Sequence, residues 1–268
     1  MSPYLLTGPT CISFSGGRTS GYMLAKIIEA HGGQLPPGAH VVFANTGKER
    51  PETLDFVNEC ATRWDVRIRR VEYLPTAPLF REVTHETASR NGEPFAALIE
   101  RKQALPNQDQ RWCTVEMKIL PAKRLMRSLG YDRWINLVGL RADEAGCVVN
   151  RKGKGPDPRY DLACPLHAAG VTRADVLAWW ARQPFDLRAR ESNCDLCFMK
   201  GQAIRLATLQ REPHLADWWA ERERERDATF VSPKREPGGY AMMVKVARRI
   251  TLPLFSDESE GVSCACTD

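Results

Sequence analysis

Apolar and polar positions alternate between two periods along the first half of the chain. Cys11-Ile12-Ser13-Phe14 is a short apolar run of the kind that forms a buried strand. From Arg18 to Ala30, Tyr22, Met23, Ile27 and Ile28 recur at helical spacing until Gly32-Gly33 ends the pattern. His40 to Asn45 (HVVFAN) predicts a second strand. Pro51 opens a helix that gathers Leu54, Val57, Ala61 and Trp64 on one face, and Val66 to Val71 predicts a third strand. This order predicts an α/β fold with a Rossmann-like parallel sheet, crossover helices and a ligand crevice at the carboxyl ends of the strands.

Further along the pattern is less regular. Helices are predicted near Leu79 to Ser89 and Phe95 to Gln103, with no sheet element between Leu74 and Gln110, and this segment is expected to lie over the crevice. A helix over Lys118 to Leu129 ends at Gly130, and Trp134 to Val138 predicts a strand leading into Gly139-Leu140-Arg141. Asn150 to Tyr160 (NRKGKGPDPRY) predicts a mobile loop. Thr172 and Asp175 have the spacing of a capping box for a helix bearing Val176, Leu177 and Trp180, closed by Pro184. The last third differs in kind: a CxxC at Cys194 to Cys197, a charged, Trp-bearing helix around Leu215 to Asp227, a Pro/Gly turn over Ser232 to Gly239, and a cysteine-bearing tail.

Composition narrows the chemistry only slightly. A chain of 268 residues, 43% hydrophobic and 26% charged, is long enough to bury a sizeable core. Thirty-eight Lys and Arg against 33 Asp and Glu is too mild an excess to define a nucleic-acid binder, though it suits anionic substrates. The N-terminus shows no basic segment followed by a long apolar one, and no run reaches bilayer length, so the expected location is the cytoplasm, with no membrane partner. In that reducing compartment nine cysteines point to metal or thiol chemistry rather than to a disulfide framework.

Ser15-Gly16-Gly17-Arg18-Thr19-Ser20 follows a predicted strand and opens a predicted helix. Backbone amides and the positive end of the helix then converge on one point, the glycines let a ligand come close, and hydroxyls and Arg18 can add donors and charge. A glycine turn between strand and helix is also often no more than a turn. With its neighbours, though, the segment resembles the SGGxxS signature of PP-loop ATP pyrophosphatases. Ala44-Asn45-Thr46-Gly47 followed by Pro51-Glu52-Thr53 resembles the DTG…PET segment of PAPS reductases and their relatives. Gly139 to Glu144 and Cys164-Pro165-Leu166 are similar to that family's GxR and NPL motifs.

The resemblance implies that Ser15, Gly16, Gly17, Arg18, Thr19 and Ser20 hold nucleotide phosphates and that Asn45, Thr46 and Gly47 border the nucleotide. It also implies that Arg141, with Ser20, steadies charge developing in the reaction. Thr19 stands where many of these enzymes have Asp, but the intact SGGxxS is closer to the ATP-cleaving branch than to true PAPS reductases. ATP with Mg2+ is therefore the expected nucleotide. The division it implies is a nucleotide-binding α/β domain over 1–170 and a helical, iron–sulfur-binding region and tail over 171–268.

By spacing alone the CxxC admits zinc, redox thiols or an iron–sulfur cluster. Trp112-Cys113-Thr114 and Asn193-Cys194-Asp195-Leu196-Cys197-Phe198 resemble the WCT…NCxxCF arrangement of the family's cluster-bearing members. That implies a [4Fe–4S] cluster on Cys113, Cys194 and Cys197, flanked by Lys118 and Lys200. A fourth ligand is expected from the tail at Cys264, with Cys164, Cys266 or an open iron as alternatives. Cys266 is also the candidate nucleophile if the chain works as a PAPS or APS reductase. Cys11 and Cys60 have the pattern of small core hydrophobes. The implied activity is adenylation of an acceptor with release of pyrophosphate, for sulfur transfer; a reductase or a nucleotide- or cluster-sensing module are the other readings. The acceptor, nucleic acid or small molecule, is open, and so is a homodimer. Arg67 to Arg70 and Arg151 to Lys154 are the segments that would face a nucleic acid's phosphates.

Overall fold

The alternation at the start of the chain builds the sheet from its centre outwards. In the computed structural model, which describes residues 2–144, 146, 157, 159–188, 194–234 and 237–250, β1 (Thr10–Ser13) leads into α1 (Arg18–Ala30) and β2 (Ala39–Asn45) into α2 (Pro51–Arg63). Then come β3 (Ile68–Tyr73) and β4 (Phe80–Val83), and later β5 (Trp134–Leu137) and β6 (Tyr160–Ala163). The six strands lie in the order β4-β3-β2-β1-β5-β6, and every pair is parallel except β3 with β4. The chain leaves β1 towards β2 and later returns to the other side of β1 with β5. The carboxyl ends of β1 and β5 therefore form the switch point at which an open sheet leaves a crevice.

Three local expectations are corrected. Phe80–Val83 is an antiparallel edge strand, not part of a helix: Leu79 turns the chain back at φ 68, and Arg81 then stands opposite the buried Glu72 and donates to its Oε2 at 2.7 Å. Four residues in the order apolar, polar, polar, apolar carry too little periodicity to separate strand from helix, so cross-strand pairing decides. α3 (Glu93–Lys102) does form, but Phe95, Leu98 and Ile99 are buried in a second core rather than laid over the crevice. The helix expected from Lys118 begins earlier, as α4 (Trp112–Thr114), a π-helical turn (Val115–Ile119) and α5 (Leu120–Ser128) in one continuous rod. Pro121 gives the reason. Without an N–H, and with its ring against the carbonyl of Met117, it cannot continue a regular ladder, and the turn before it widens.

α6 (Pro165–Ala168) and α7 (Arg173–Trp180) follow the sheet. The capping box at α7 forms: Thr172 Oγ1 accepts from the Asp175 amide, and the Asp175 carboxylate accepts from the Thr172 amide at 2.8 Å. α8 (Gln202–Arg211), α9 (Ala216–Arg226) and α10 (Gly239–Ala247) complete the described chain. Tyr160 opens β6 rather than ending a loop. The rest of Asn150 to Tyr160 lies almost wholly outside the described residues, as do Cys147 and the tail with Cys264 and Cys266.

Two main cores result. In the first, Ile12, Phe14 and Phe43 of the sheet pack with Met23, Ile27, Phe56, Trp180 and Phe185. Gly21 makes room for Trp180, since a Cβ there would lie 2.6 Å from its ring, and Trp180 Nε1 donates to the Arg18 carbonyl at 2.8 Å. In the second, Tyr73, Phe95 and Met117 pack with Cys194, Cys197, Phe198, Trp219, Phe230 and Tyr240. Segments from both sides of residue 170 contribute to each core. Among the described residues no helix is long and apolar enough to cross a membrane.

Candidate functional site

The loop leaving β1 is shaped by Gly16. Its φ is 74, and a Cβ there would lie 2.7 Å from Thr53 Cγ2 and 3.0 Å from the Phe43 ring, so both the backbone and the space require glycine. Gly17 caps α1 in an extended conformation. Ser15 Oγ donates to Ser20 Oγ at 3.1 Å, and Ser20 Oγ donates to the Gly17 carbonyl at 2.9 Å, closing the loop around the positive end of α1. Beside it Thr53 Oγ1 is buried and makes no hydrogen bond.

The segment after β5 closes on the same loop. Gly139 lies against Ser20, 3.6 Å from where a side chain would begin. Arg141, 9% exposed, donates from Nη1 to Thr19 Oγ1 at 3.1 Å and from Nε to Asp143 at 2.9 Å. Partial burial pushes the Asp143 carboxyl up, but the Arg141 hydrogen bond and charge outweigh it and hold the group below its ordinary value. Arg18 is engaged elsewhere. Its Nε donates to Asp186 at 2.8 Å and its Nη2 to the Leu187 carbonyl at 2.7 Å, so this guanidinium ties α1 to the segment after α7.

At the end of β2, Asn45 is a framework residue. It is fully buried, donates to Glu72 at 2.6 Å and to the Ser89 carbonyl at 2.9 Å, and accepts from the Gly47 amide at 3.1 Å. Gly47, at φ 79, receives the Gly92 amide on its carbonyl at 2.8 Å. Thr46 donates from its amide and its hydroxyl to Glu49 at 2.8 and 2.9 Å, and its Oγ1 is 3.3 Å from Cys194 Sγ.

This loop receives the CxxC segment. Glu49 and Cys194 form an antiparallel bridge, the Asp195 amide donates to the Lys48 carbonyl at 2.7 Å, and Lys48 Nζ lies 3.0 Å from Asp195 Oδ2, with side chains 9% and 7% exposed. The C-terminal helices hold the other side. Trp219 Nε1 donates to Asp195 at 2.8 Å, Arg205 to the Phe198 carbonyl at 3.0 Å, and Tyr240 Oη to the Leu196 carbonyl. Lys48→Met should lower unfolding free energy by about 3 kcal/mol in urea melts, because it leaves Asp195 buried without its counter-ion; a loss below about 1 kcal/mol would show the pair to be incidental. Nothing in the sequence marks Lys48, Glu49 and Asp195 as partners. Each is an ordinary charged residue beside a motif, and only the fold reveals that they meet.

Between one sheet face and the rod lies a cleft of about 1040 Å3, with Ser13, Val42, Ala44, Trp134 and Asn136 on the sheet side and Trp112, Lys118 and Ile119 on the helical side. Ser15 and Glu49 also line it. That volume suffices for a nucleotide with room for a second reactant. Beside it a smaller pocket is lined by Cys113, Cys194, Cys197, Thr46, Phe95, Phe198, Met199 and Trp219, and Arg111, Thr114 and Lys118 line both cavities. The three sulfurs share this pocket without converging on one point: among the described residues no three His, Cys, Asp or Glu side chains are placed to hold a single metal ion. Cys164 packs instead against Val138 and Leu140. Cys11 and Cys60 are fully buried core residues, and burial raises both thiols, Cys11 to about 12. His85 faces Asp55 at 2.8 Å and lines neither cavity.

An open α/β sheet with a glycine-shaped loop at its switch point is an architecture that leaves a ligand crevice there. Residues 9–152 match the phosphoadenosine phosphosulfate reductase domain, more than half of the chain, and the protein belongs to that family. The nin region protein ORF290 of Escherichia phage lambda is 31% identical over 221 residues, covering 75% of this chain and 70% of that protein. Among solved structures, the U34-tRNA thiolase NcsA of Methanococcus maripaludis with its [4Fe-4S] cluster is 14% identical with a TM-score of 0.41, covering 93% of this chain and 73% of that one. The phosphoadenylyl-sulfate reductase of Candida auris in a phosphate complex is 19% identical with a TM-score of 0.41, covering 68% and 79%. At that identity and TM-score neither likeness bears on what this chain binds.

Proposed function

We propose that the protein is an ATP-dependent enzyme that activates an acceptor by adenylation, releases pyrophosphate and serves sulfur transfer, with a [4Fe–4S] cluster held by Cys113, Cys194 and Cys197. The observation that carries this reading is the adjacency of the two cavities, which share Arg111, Thr114 and Lys118 as a common wall. In this reading Ser15 to Ser20 and the amides opening α1 hold the phosphates, Mg2+ when bound would neutralise the pyrophosphate, and Arg141, anchored on Thr19, faces the developing charge.

The donor set fits a cluster better than one zinc ion. A cube of iron and sulfur spreads its thiolates over separate corners, so its ligands need a common pocket and not a common point. The pocket's apolar walls, Phe95, Phe198, Met199 and Trp219, limit water, and Lys118 and Arg111 at its edge offset negative charge. When bound, the cluster would supply a site for inorganic sulfide or a scaffold for the CxxC segment. The expected tail ligand Cys264 and tail nucleophile Cys266 lie outside the described residues.

The acceptor is proposed only as a class, nucleic acid or small molecule. Arg67 and Arg69 both reach Glu82, and Arg70 donates to Asn58 at 3.0 Å, so this stretch is paired within the fold. Mixing the cluster-loaded protein with ATP, sulfide and candidate acceptors should release pyrophosphate. Sulfite release from PAPS or APS, with no pyrophosphate from ATP, would replace this reading with a reductase.

A further inference from the structure

The wall of the cleft built by β5 carries hydrogen-bonding capacity that the fold does not use. Strand alternation sends Ile135 and Leu137 into the first core and leaves Trp134 and Asn136 on the cleft side. Much of that sheet face is apolar, with Cys11, Val42, Leu125 and Met126 packed beside Trp134. Asn136, in register with Cys11, sets a primary amide next to them.

Such an amide offers two N–H donors and a carbonyl oxygen with two lone pairs. Among the described residues the side chain of Asn136 makes one hydrogen bond, from Nδ2 to Ser13 Oγ at a long 3.5 Å. Its Oδ1 and its second N–H take no protein partner, although the residue is half-buried. Trp134 Nε1, two positions back on the same strand face, is buried and also makes no hydrogen bond. Unspent polar groups in a packed wall cost stability. Packing alone would favour an apolar residue at position 136.

The rest of the cleft narrows what the amide can meet. Its helical side presents Trp112, Val115, Ile119 and Ala122, aromatic and aliphatic surface of the kind on which a flat ring settles. A donor and an acceptor side by side match the edge of a nucleobase. Cys11, at the level of Asn136, is four residues before Ser15, so at most about 14 Å of chain separates that level from the loop proposed to hold the phosphates. A nucleotide or a second substrate in the same cleft comes within reach of the amide.

We propose that Asn136 is the base-recognising residue of the cleft, its amide pairing with the donor–acceptor edge of a nucleobase. This rests on the nucleotide reading of the cleft given above. The base belongs either to the nucleotide held at Ser15 to Ser20 or to the acceptor, and the chemistry of recognition is the same for both.

The test is a change of base preference, read by titration calorimetry in wild type, Asn136→Asp and Asn136→Leu. One arm uses ATP, GTP and tripolyphosphate; the other adds adenosine, guanosine, cytidine and uridine to the ATP-loaded protein. A carboxylate only accepts, so Asn136→Asp loses the mixed edge and suits guanine, whose N1–H and N2–H both donate. Guanine should gain on the other bases by about 10-fold or more in that variant. Asn136→Leu, similar in size and suited to the apolar face, should weaken the base that wild type prefers by about 10-fold, with tripolyphosphate binding unchanged. A shift in ATP against GTP assigns the base to the nucleotide; a shift confined to the nucleosides assigns it to the acceptor. Wild type that binds ATP, with base preference unmoved in both arms by the Asp variant, would overturn the assignment. If the Asp variant does not fold, unchanged affinities in Asn136→Leu overturn it equally. Wild type that binds neither ATP nor tripolyphosphate would overturn the nucleotide reading and this inference with it.

Discussion

Protein prepared without oxygen is expected to be brown, with about four irons and a matching amount of acid-labile sulfide per chain, and Cys194→Ser is expected to bleach it. Cys194 is 7% exposed and sits at the bridge to Glu49, so its sulfur is fixed with respect to both the pocket and the loop. Serine is nearly the same size but a poor ligand for iron at neutral pH. The variant should therefore keep its circular dichroism spectrum while losing colour and iron together. Cys164→Ser, made in a residue that lines neither cavity, should stay brown. Stoichiometric zinc with no labile sulfide in the anaerobic wild type would remove the cluster from the account.

The second large effect is at the loop proposed to hold the phosphates. Gly17→Val should weaken ATP binding by about 100-fold or more, measured by titration calorimetry, because a branched side chain at the cap of α1 fills the space through which a phosphate reaches the amides. Two lost hydrogen bonds to a charged group, at about 1.5–3 kcal/mol each, account for that factor. The fold should survive, since Gly17 has φ −109 and ψ 166, an extended conformation that valine adopts readily. Gly16 is the wrong position for this experiment. At φ 74 and against Thr53, any side chain there strains the fold before it touches a ligand. A folded Gly17→Val protein with unchanged affinity would place the nucleotide elsewhere.

Arg141 supplies a graded check on the same site. Arg141→Gln should lower turnover about 100-fold, in the range for removing one fixed donor to developing charge, with a smaller effect on ATP affinity. Equal losses in both would mean that the guanidinium serves only to hold Thr19.

Much of the fold was legible along the chain wherever one element's period was long enough to read. Arg18 to Ala30 spans more than three turns, and its boundaries in the structure are those its apolar spacing predicts. The box at Thr172 and Asp175 is decided by residues three apart and was equally readable. Phe80–Val83 was not, because a four-residue edge strand is defined by Glu72 and Arg69 across the sheet rather than by anything within itself. The widened turn at Val115–Ile119 was present in the sequence as Pro121, three residues past the proposed ligand-side lysine, yet its effect on the rod shows only once the helix is built around it.

The candidate site divides in the same way. The glycines, the serines and the CxxC are local signals, since their residues stand within a few positions of one another, whereas Cys113 lies 81 positions before Cys194 and is legible only through the resemblance of Trp112-Cys113-Thr114. By itself the sequence determined an α/β protein with a glycine loop between its first strand and first helix and a set of thiols. Only the tertiary structure decided that Arg18 turns to Asp186, that Asn45 is spent on Glu72 and Ser89, and that Lys48 and Asp195 clamp the CxxC to the loop after β2. It also decided that Glu49 lines the cleft with its Oε1 3.9 Å from Cys194 Sγ. The reason is physical. Hydrogen bonds and ion pairs are short-ranged and directional, so which partner a polar side chain takes depends on which segments the packed cores bring within about 3 Å of it, and no spacing along the chain encodes that.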